Sequence, residues 1–149
     1  MKRLILVALV GLSGCTSVDG NTNFAYEVEK KPSEYDSHAE YLANPKVQSK
    51  YQKDLETGKI ESLKSEYIES CSDEIDGIVG FCECVSDEIS GTSSEEIFYS
   101  QKLLEEYTSE AISAFSKGDE ELRLKIIDRI QKETVTGQVG SLCRDKLKG

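Results

Sequence analysis

Residues 78–91 read Ile-Val-Gly-Phe-Cys-Glu-Cys-Val-Ser-Asp-Glu-Ile-Ser-Gly, and the fold turns on how that stretch is read. Ile78, Cys82, Val85 and Ile89 recur at the spacing of one helix face, and Gly91 is a natural stop. On a helix, residues two apart point about 200° away from each other, so Cys82 and Cys84 cannot bond to one another. Each must reach a different element. With Cys71 and Cys143 also present, two pairings are open: 71–82 with 84–143, or 71–84 with 82–143. Either one ties the C-terminus to the middle of the chain, closing a loop of roughly 60 residues worth about 4 kcal/mol in the chain-entropy treatment.

Upstream, the periodicity stays helical. Ser33 to Ala43 reads as a short helix carrying Tyr35, Ala39 and Leu42. Asn44-Pro45 restarts the chain, with Asn as cap and Pro at the first helical position. Val47, Tyr51 and Leu55 then fall at i, i+4, i+8 ahead of Gly58, and Ile60, Leu63, Tyr67 and Ile68 form the next stripe, running to Cys71. Two glycines and three acids mark Ser72–Gly80 as a turn. Downstream, Ser93 and Glu96 form a capping box opening the longest helix. Its expected inner face is Ile97, Leu104, Tyr107, Ala111, Ala114 and Phe115. Asp119 caps a further helix bearing Leu122, Ile126, Ile127 and Ile130. A break is expected near Gly137, after which Val139, Leu142, Cys143 and Leu147 finish the chain helically. Strand signals and a fixed-period repeat are both lacking. The expectation is all-α: a small disulfide-braced bundle of about five to seven helices over residues 33–149.

The N-terminus carries a different message. Met1-Lys2-Arg3 leads into nine largely apolar residues and then Leu12-Ser13-Gly14-Cys15. A basic start, a short apolar run and a small-residue exit make a secretory signal peptide, since a membrane span needs about 20 apolar residues. Leu12-Ser13-Gly14-Cys15 resembles the lipobox of bacterial lipoproteins. That resemblance implies cleavage after residue 14 and acylation of Cys15, the lipid anchoring the chain in the cell envelope. Thr16, where an Asp would imply inner-membrane retention, implies the outer membrane, with the domain facing the periplasm. The resemblance covers the signal alone, and no family is recognised for the mature chain. Residues 15–32 read as the lipidated Cys and a flexible tether reaching about 20–25 Å, with Phe24, Tyr26 and Val28 alternating as in an extended arm.

Charge and cysteine usage agree with export. The formal charge is −10, and losing Lys2 and Arg3 with the signal makes it −12. That excess argues against nucleic acid and against docking on anionic headgroups, and favours a basic partner. With Cys15 assigned to lipid, the four remaining cysteines suit two disulfides in an oxidising compartment. The Cys-x-Cys spacing is short for a structural zinc site, and a redox Cys82–Cys84 couple lacks the usual Cys-x-x-Cys motif.

Catalytic signals are sparse. His38 is the one histidine and lies in a polar stretch. Nucleophile-elbow, zinc-helix and phosphate-loop motifs are missing. Asp73-Glu74-Ile75-Asp76 departs from the calcium-loop pattern. Glu83, Asp87 and Glu88 read as ordinary outer-face acids. No cofactor and no metal are expected. Of the seven tyrosines, Tyr41 and Tyr99 fit the apolar stripes least well and are the expected anchors for a protein partner. The functional expectation is a lipid-anchored, non-enzymatic envelope protein that binds a protein, of the inhibitor, immunity or exclusion type. The alternatives are a pilotin-like or structural accessory of an envelope or secretion assembly and, last, a thiol redox protein using Cys82 and Cys84.

Overall fold

The computed structural model describes residues 30–71 and 78–148. Among them are a 3-10 turn, Pro32–Glu34, and seven α-helices. In chain order these are α1 (His38–Ala43), α2 (Pro45–Glu56), α3 (Lys59–Glu69), α4 (Phe81–Gly91), α5 (Ser94–Ser116), α6 (Glu120–Glu133) and α7 (Val135–Lys148). The described residues contain no strand, so the fold is the small disulfide-braced helical bundle that the periodicity predicts. The signal peptide, Cys15, most of the tether and the acidic turn at 72–77 lie outside the described residues.

The helix starts follow local chemistry. Ser37 Oγ accepts the Glu40 N–H at 3.2 Å, Asn44 Oδ1 accepts that of Lys46 at 2.9 Å, and Asp119 Oδ1 accepts that of Leu122 at 3.0 Å. Ser93 Oγ likewise accepts the Glu96 N–H at 3.2 Å. Each satisfies a backbone donor that a helix leaves unpaired in its first turn. Gly118, at φ +71°, supplies the left-handed residue that turns α5 into α6.

The N-terminal helix is shorter than the sequence suggests. Ser33 to Ala43 is a 3-10 turn, an extended Tyr35 (φ −101°, ψ 143°) and only then α1. Tyr35 leaves the helical path and packs edge-on against Tyr41, ring centroids 5.2 Å apart. The tether, expected to run through Pro32, is already docked at Lys31. Lys31 Nζ lies 2.7 Å from Glu110, and Ser33 Oγ donates to Glu106 at 2.6 Å, both acceptors on α5.

Two apolar clusters divide the interior. The larger gathers α1–α4, the N-terminal half of α5 and α7 around Tyr51, Ile60, Ile89, Ile97, Phe98 and Cys143. The smaller, Leu103, Tyr107, Ala114 and Ile126, joins the C-terminal half of α5 to α6. At 1.5 Å per residue α5 is about 34 Å long and outruns the main bundle, so its far half and α6 form a two-helix arm.

The break expected near Gly137 falls at Thr134, which is extended (φ −96°, ψ 150°) and fully buried. Gly137 lies inside α7, and its role is close approach. A Cβ there would come within 2.5 Å of the Gln131 Cα and of the Ile130 and Gln131 carbonyl oxygens, so only glycine lets α7 leave α6 this tightly.

The disulfides are Cys71–Cys82 and Cys84–Cys143, with Cα separations of 5.7 and 5.8 Å. The two directions on α4 differ by about 200°. Cys82 therefore meets the end of α3 while Cys84 meets α7, and the pairing left open by spacing is decided.

Candidate functional site

Two surfaces stand out, one on the arm and one between the disulfides. On the arm, Ile112 is 65% and Phe115 73% exposed. The expected inner face of α5 is corrected here: Leu103 rather than Leu104 is buried, and Phe115 points to solvent. Because α6 packs against Leu103, Tyr107 and Ala114, the stripe Leu104–Thr108–Ile112–Phe115 faces outward. It forms two shallow grooves of about 470 and 300 Å³ that share Thr108 and Ile112. Ala111, Ile127 and Ile130 line the second, along the seam with α6. Leu55, Leu122, Leu142 and Leu147, placed on apolar stripes by their spacing, also remain about two-fifths exposed. Each lies at the edge of its stripe.

The second surface is a cleft of about 290 Å³. Phe81, Val85 and Ile89 of α4 contribute its apolar side. The end of α3 brings Tyr67, Ser70 and Cys71, and α7 brings Thr136, Val139, Gly140 and Arg144. The two disulfides bond α4 to both of the flanking elements, so the three walls are covalently tied. Tyr67 is held by donating its hydroxyl to Gln101 Oε1 at 2.6 Å. Burial, with Glu66 and Glu105 nearby, raises the Tyr67 phenol pKa above its usual value and keeps it a donor.

The structure draws Tyr41 into the core and leaves Tyr99 only partly at the surface. Tyr41 is 4% exposed, ringed by Tyr35, Phe98 and Tyr99. Tyr99 is half-buried and donates its hydroxyl to the Pro32 carbonyl at 3.3 Å. They sit off a Leu/Ile stripe because an aromatic cluster fills that part of the core and pins the N-terminal segment. Cys82 and Cys84 are each bonded to another cysteine, so they form no dithiol couple with one another. Cys15 lies outside the described residues.

Some of the polar groups have structural partners. His38 borders a recess of about 250 Å³ with Asp36, Glu96 and Glu133, its ring 6.3 Å from that of Tyr99. Glu83 and Asp87 are exposed, and Glu88 pairs with Lys146. Tyr107 is fully buried and donates to the Glu133 carboxylate, while the Arg129 guanidinium lies 4.1 Å from its ring centroid. Burial first, and then the bond to Glu133, push the Tyr107 phenol pKa far above its usual value. Among the described residues no three His, Cys, Asp or Glu side chains are grouped to hold a metal ion, and no helix is long and apolar enough to cross a membrane.

Comparison with known protein families, with curated proteins and with solved structures finds no match to this chain.

Proposed function

We propose that the chain is a lipid-anchored, non-enzymatic protein of the bacterial cell envelope whose helical domain docks a protein partner on the arm. Acylation of Cys15 holds it to the outer membrane on the periplasmic side. The observation that carries the docking reading is the outward stripe ending in Ile112 and Phe115. A groove along the seam of two helices suits the apolar face of a third, laid in at i, i+3, i+4, i+7 spacing. The chain's formal charge of −10 favours a partner helix whose outer face is basic, and steers its approach. The roles that fit are inhibitor, immunity or exclusion protein.

Purified wild type and the Ile112→Ser/Phe115→Ser double variant, compared for binding of the partner at several salt concentrations, test the reading. The expected result is one stoichiometric partner, carrying a basic amphipathic helix, that the double variant loses while its unfolding transition stays in place. Association should also slow as salt rises. A partner held equally by both proteins removes the arm from the interface. The escort reading, in which a pilotin-like protein grips the end of a client, is favoured by the cleft between the disulfides.

A further inference from the structure

We propose that Phe24 and Tyr26 of the chain's own N-terminal tether lie across the apolar stripe of the arm, one ring in each of its two grooves. The inference uses the surface that the proposed function gives to a partner, and goes beyond that reading: a partner has to displace the tether in order to dock.

The point where the tether joins the described residues is fixed. Lys30 Nζ lies 5.7 Å from the Tyr35 ring centroid. Ser33 donates to Glu106 through its backbone N–H, at 3.1 Å, and through its hydroxyl, at 2.6 Å, while Lys31 Nζ reaches Glu110 at 2.7 Å. Traced backwards from Ser33 to Lys31, the chain thus advances along α5 towards Phe115 by about one helical turn. Glu110 and Ile112 are two positions apart, which places them about 160° apart the short way round the helix. That way is open. On the other side Tyr107 and Ala114 pack against α6, whereas Ser109, Ser113 and Ser116 are exposed and small enough for a chain to cross.

Reach and side-chain pattern then agree. On a helix about 11 Å across with its side chains, that arc is about 15 Å long. Five extended residues bring Tyr26 about 16 Å from Lys31. Phe24 follows about 7 Å further on, on the same face of the segment, because alternate side chains share a face. A chain arriving over Ser109 first meets the groove of Leu104 and Thr108, edged by Gln101 and Glu105, which suits a ring carrying a hydroxyl. Next comes the groove of Ala111, Phe115 and Ile127 along the seam with α6, which suits a ring without one. Their volumes of about 470 and 300 Å³ each admit an aromatic side chain. Covering Ile112 and Phe115, 65% and 73% exposed, removes apolar surface from water. A tether this short presents its rings at an effective concentration on the order of millimolar, so even a weak contact is filled.

The test uses the oxidised chain from residue 15 onward, made with Cys15→Ser so that neither lipid nor detergent competes, and follows the methyl resonances of Ile112 and Ile127. Nuclear Overhauser contacts should connect the Phe24 ring to those methyls. Phe24→Ser/Tyr26→Ser should abolish the contacts and move both methyls, leaving those of Val85 and Ile89 in the main bundle in place. A free peptide of residues 22–30, added to that variant at millimolar concentration, should move them back. Benzoylphenylalanine in place of Phe115 should, on irradiation, cross-link to the tryptic peptide ending at Lys30, within one chain and at every protein concentration. Ile112 and Ile127 methyls that ignore the loss of both rings overturn the proposal. So does a cross-link that joins two chains, which gives the stripe to a second copy. The partner reading is judged separately. A partner that still needs Ile112 and Phe115 leaves that reading standing when the tether contacts are absent. Tether contacts in a chain that holds no partner establish the tether on the arm and leave the partner reading unsupported.

Discussion

The Ser100 hydroxyl accepts the backbone N–H of Val135 at 2.8 Å in the buried interior. One side chain on α5 thereby satisfies the donor exposed where α6 ends and α7 begins, and Thr134 Oγ1 ties back to the Ile130 carbonyl at 2.7 Å. A polar pair inside the core thus sets the angle between the last two helices. Ser100→Ala leaves the Val135 N–H buried without an acceptor and should cost about 1–2 kcal/mol. Urea unfolding reads the loss. Faster amide exchange at Val135, with exchange in α2 and α3 changed only by the global loss of stability, locates it.

Gly137 and Gly91 make a contrast. At Gly137 an added methyl would meet backbone at 2.5 Å, while at Gly91 it would meet nothing within 4 Å. Gly137→Ala should therefore destabilise by about 2–3 kcal/mol through overpacking. Gly91→Ala should be neutral or stabilise by up to about 0.5 kcal/mol. Thermal unfolding of the two single variants checks both signs.

The two disulfides should differ in lability and in worth. Cys143 is fully buried, whereas Cys71 and Cys82 are partly exposed. Graded reduction followed by alkylation and peptide mapping should label Cys71 and Cys82 first. The sequence separations are 11 and 59 residues, for which chain entropy assigns about 3 and about 4 kcal/mol. Cys84→Ala/Cys143→Ala should accordingly lower stability more than Cys71→Ala/Cys82→Ala.

Alkaline pH should expose Tyr107. Its folded-state pKa is raised from 10.0 chiefly by burial, and those of Tyr51, Tyr67 and Tyr99 are raised as well. The unfolded chain gives up these protons first, so stability is fully present below about pH 10 and falls as pH climbs above it. Tyr107→Phe should lose about 1 kcal/mol at neutral pH with the hydrogen bond to Glu133, and should show a shallower alkaline decline. Unfolding midpoints between pH 8 and 11.5, alongside phenolate absorbance, measure both.

Lipidation is tested at Cys15. Expressed in a bacterium with a lipoprotein pathway, the wild type should partition into detergent and carry the added mass of acyl chains on a chain beginning at Cys15. Cys15→Ser should stay in the aqueous phase, and equal partitioning of the two would remove the anchor.

Much of the fold was legible in the residues themselves. Capping side chains at Asn44, Ser93 and Asp119 and the 3.6-residue stripes are local features, and local backbone chemistry placed most helix starts, whereas the Ser37 cap lay hidden inside a stretch that reads as one helix from Ser33. The requirement that Cys82 and Cys84 seek different partners was equally local, because a helix turns by about 100° per residue. What the linear pattern could not reveal depends on which neighbour arrives. Leu103 and Leu104 are adjacent and both apolar, and only the docking of α6 buries one and leaves the other on an open stripe with Phe115. Tyr41 broke the aliphatic pattern because its complement was an aromatic cluster assembled from Tyr35, Phe98 and Tyr99, up to 58 positions along the chain. The cleft has residues from three helices, spread over 78 positions. The order of residues carried most of the helices, several of their caps and the covalent valence of the four cysteines. Tertiary packing alone decided the disulfide pairing, the break at Thr134 and the faces left open, since burial is a property of two surfaces meeting and no single segment carries it.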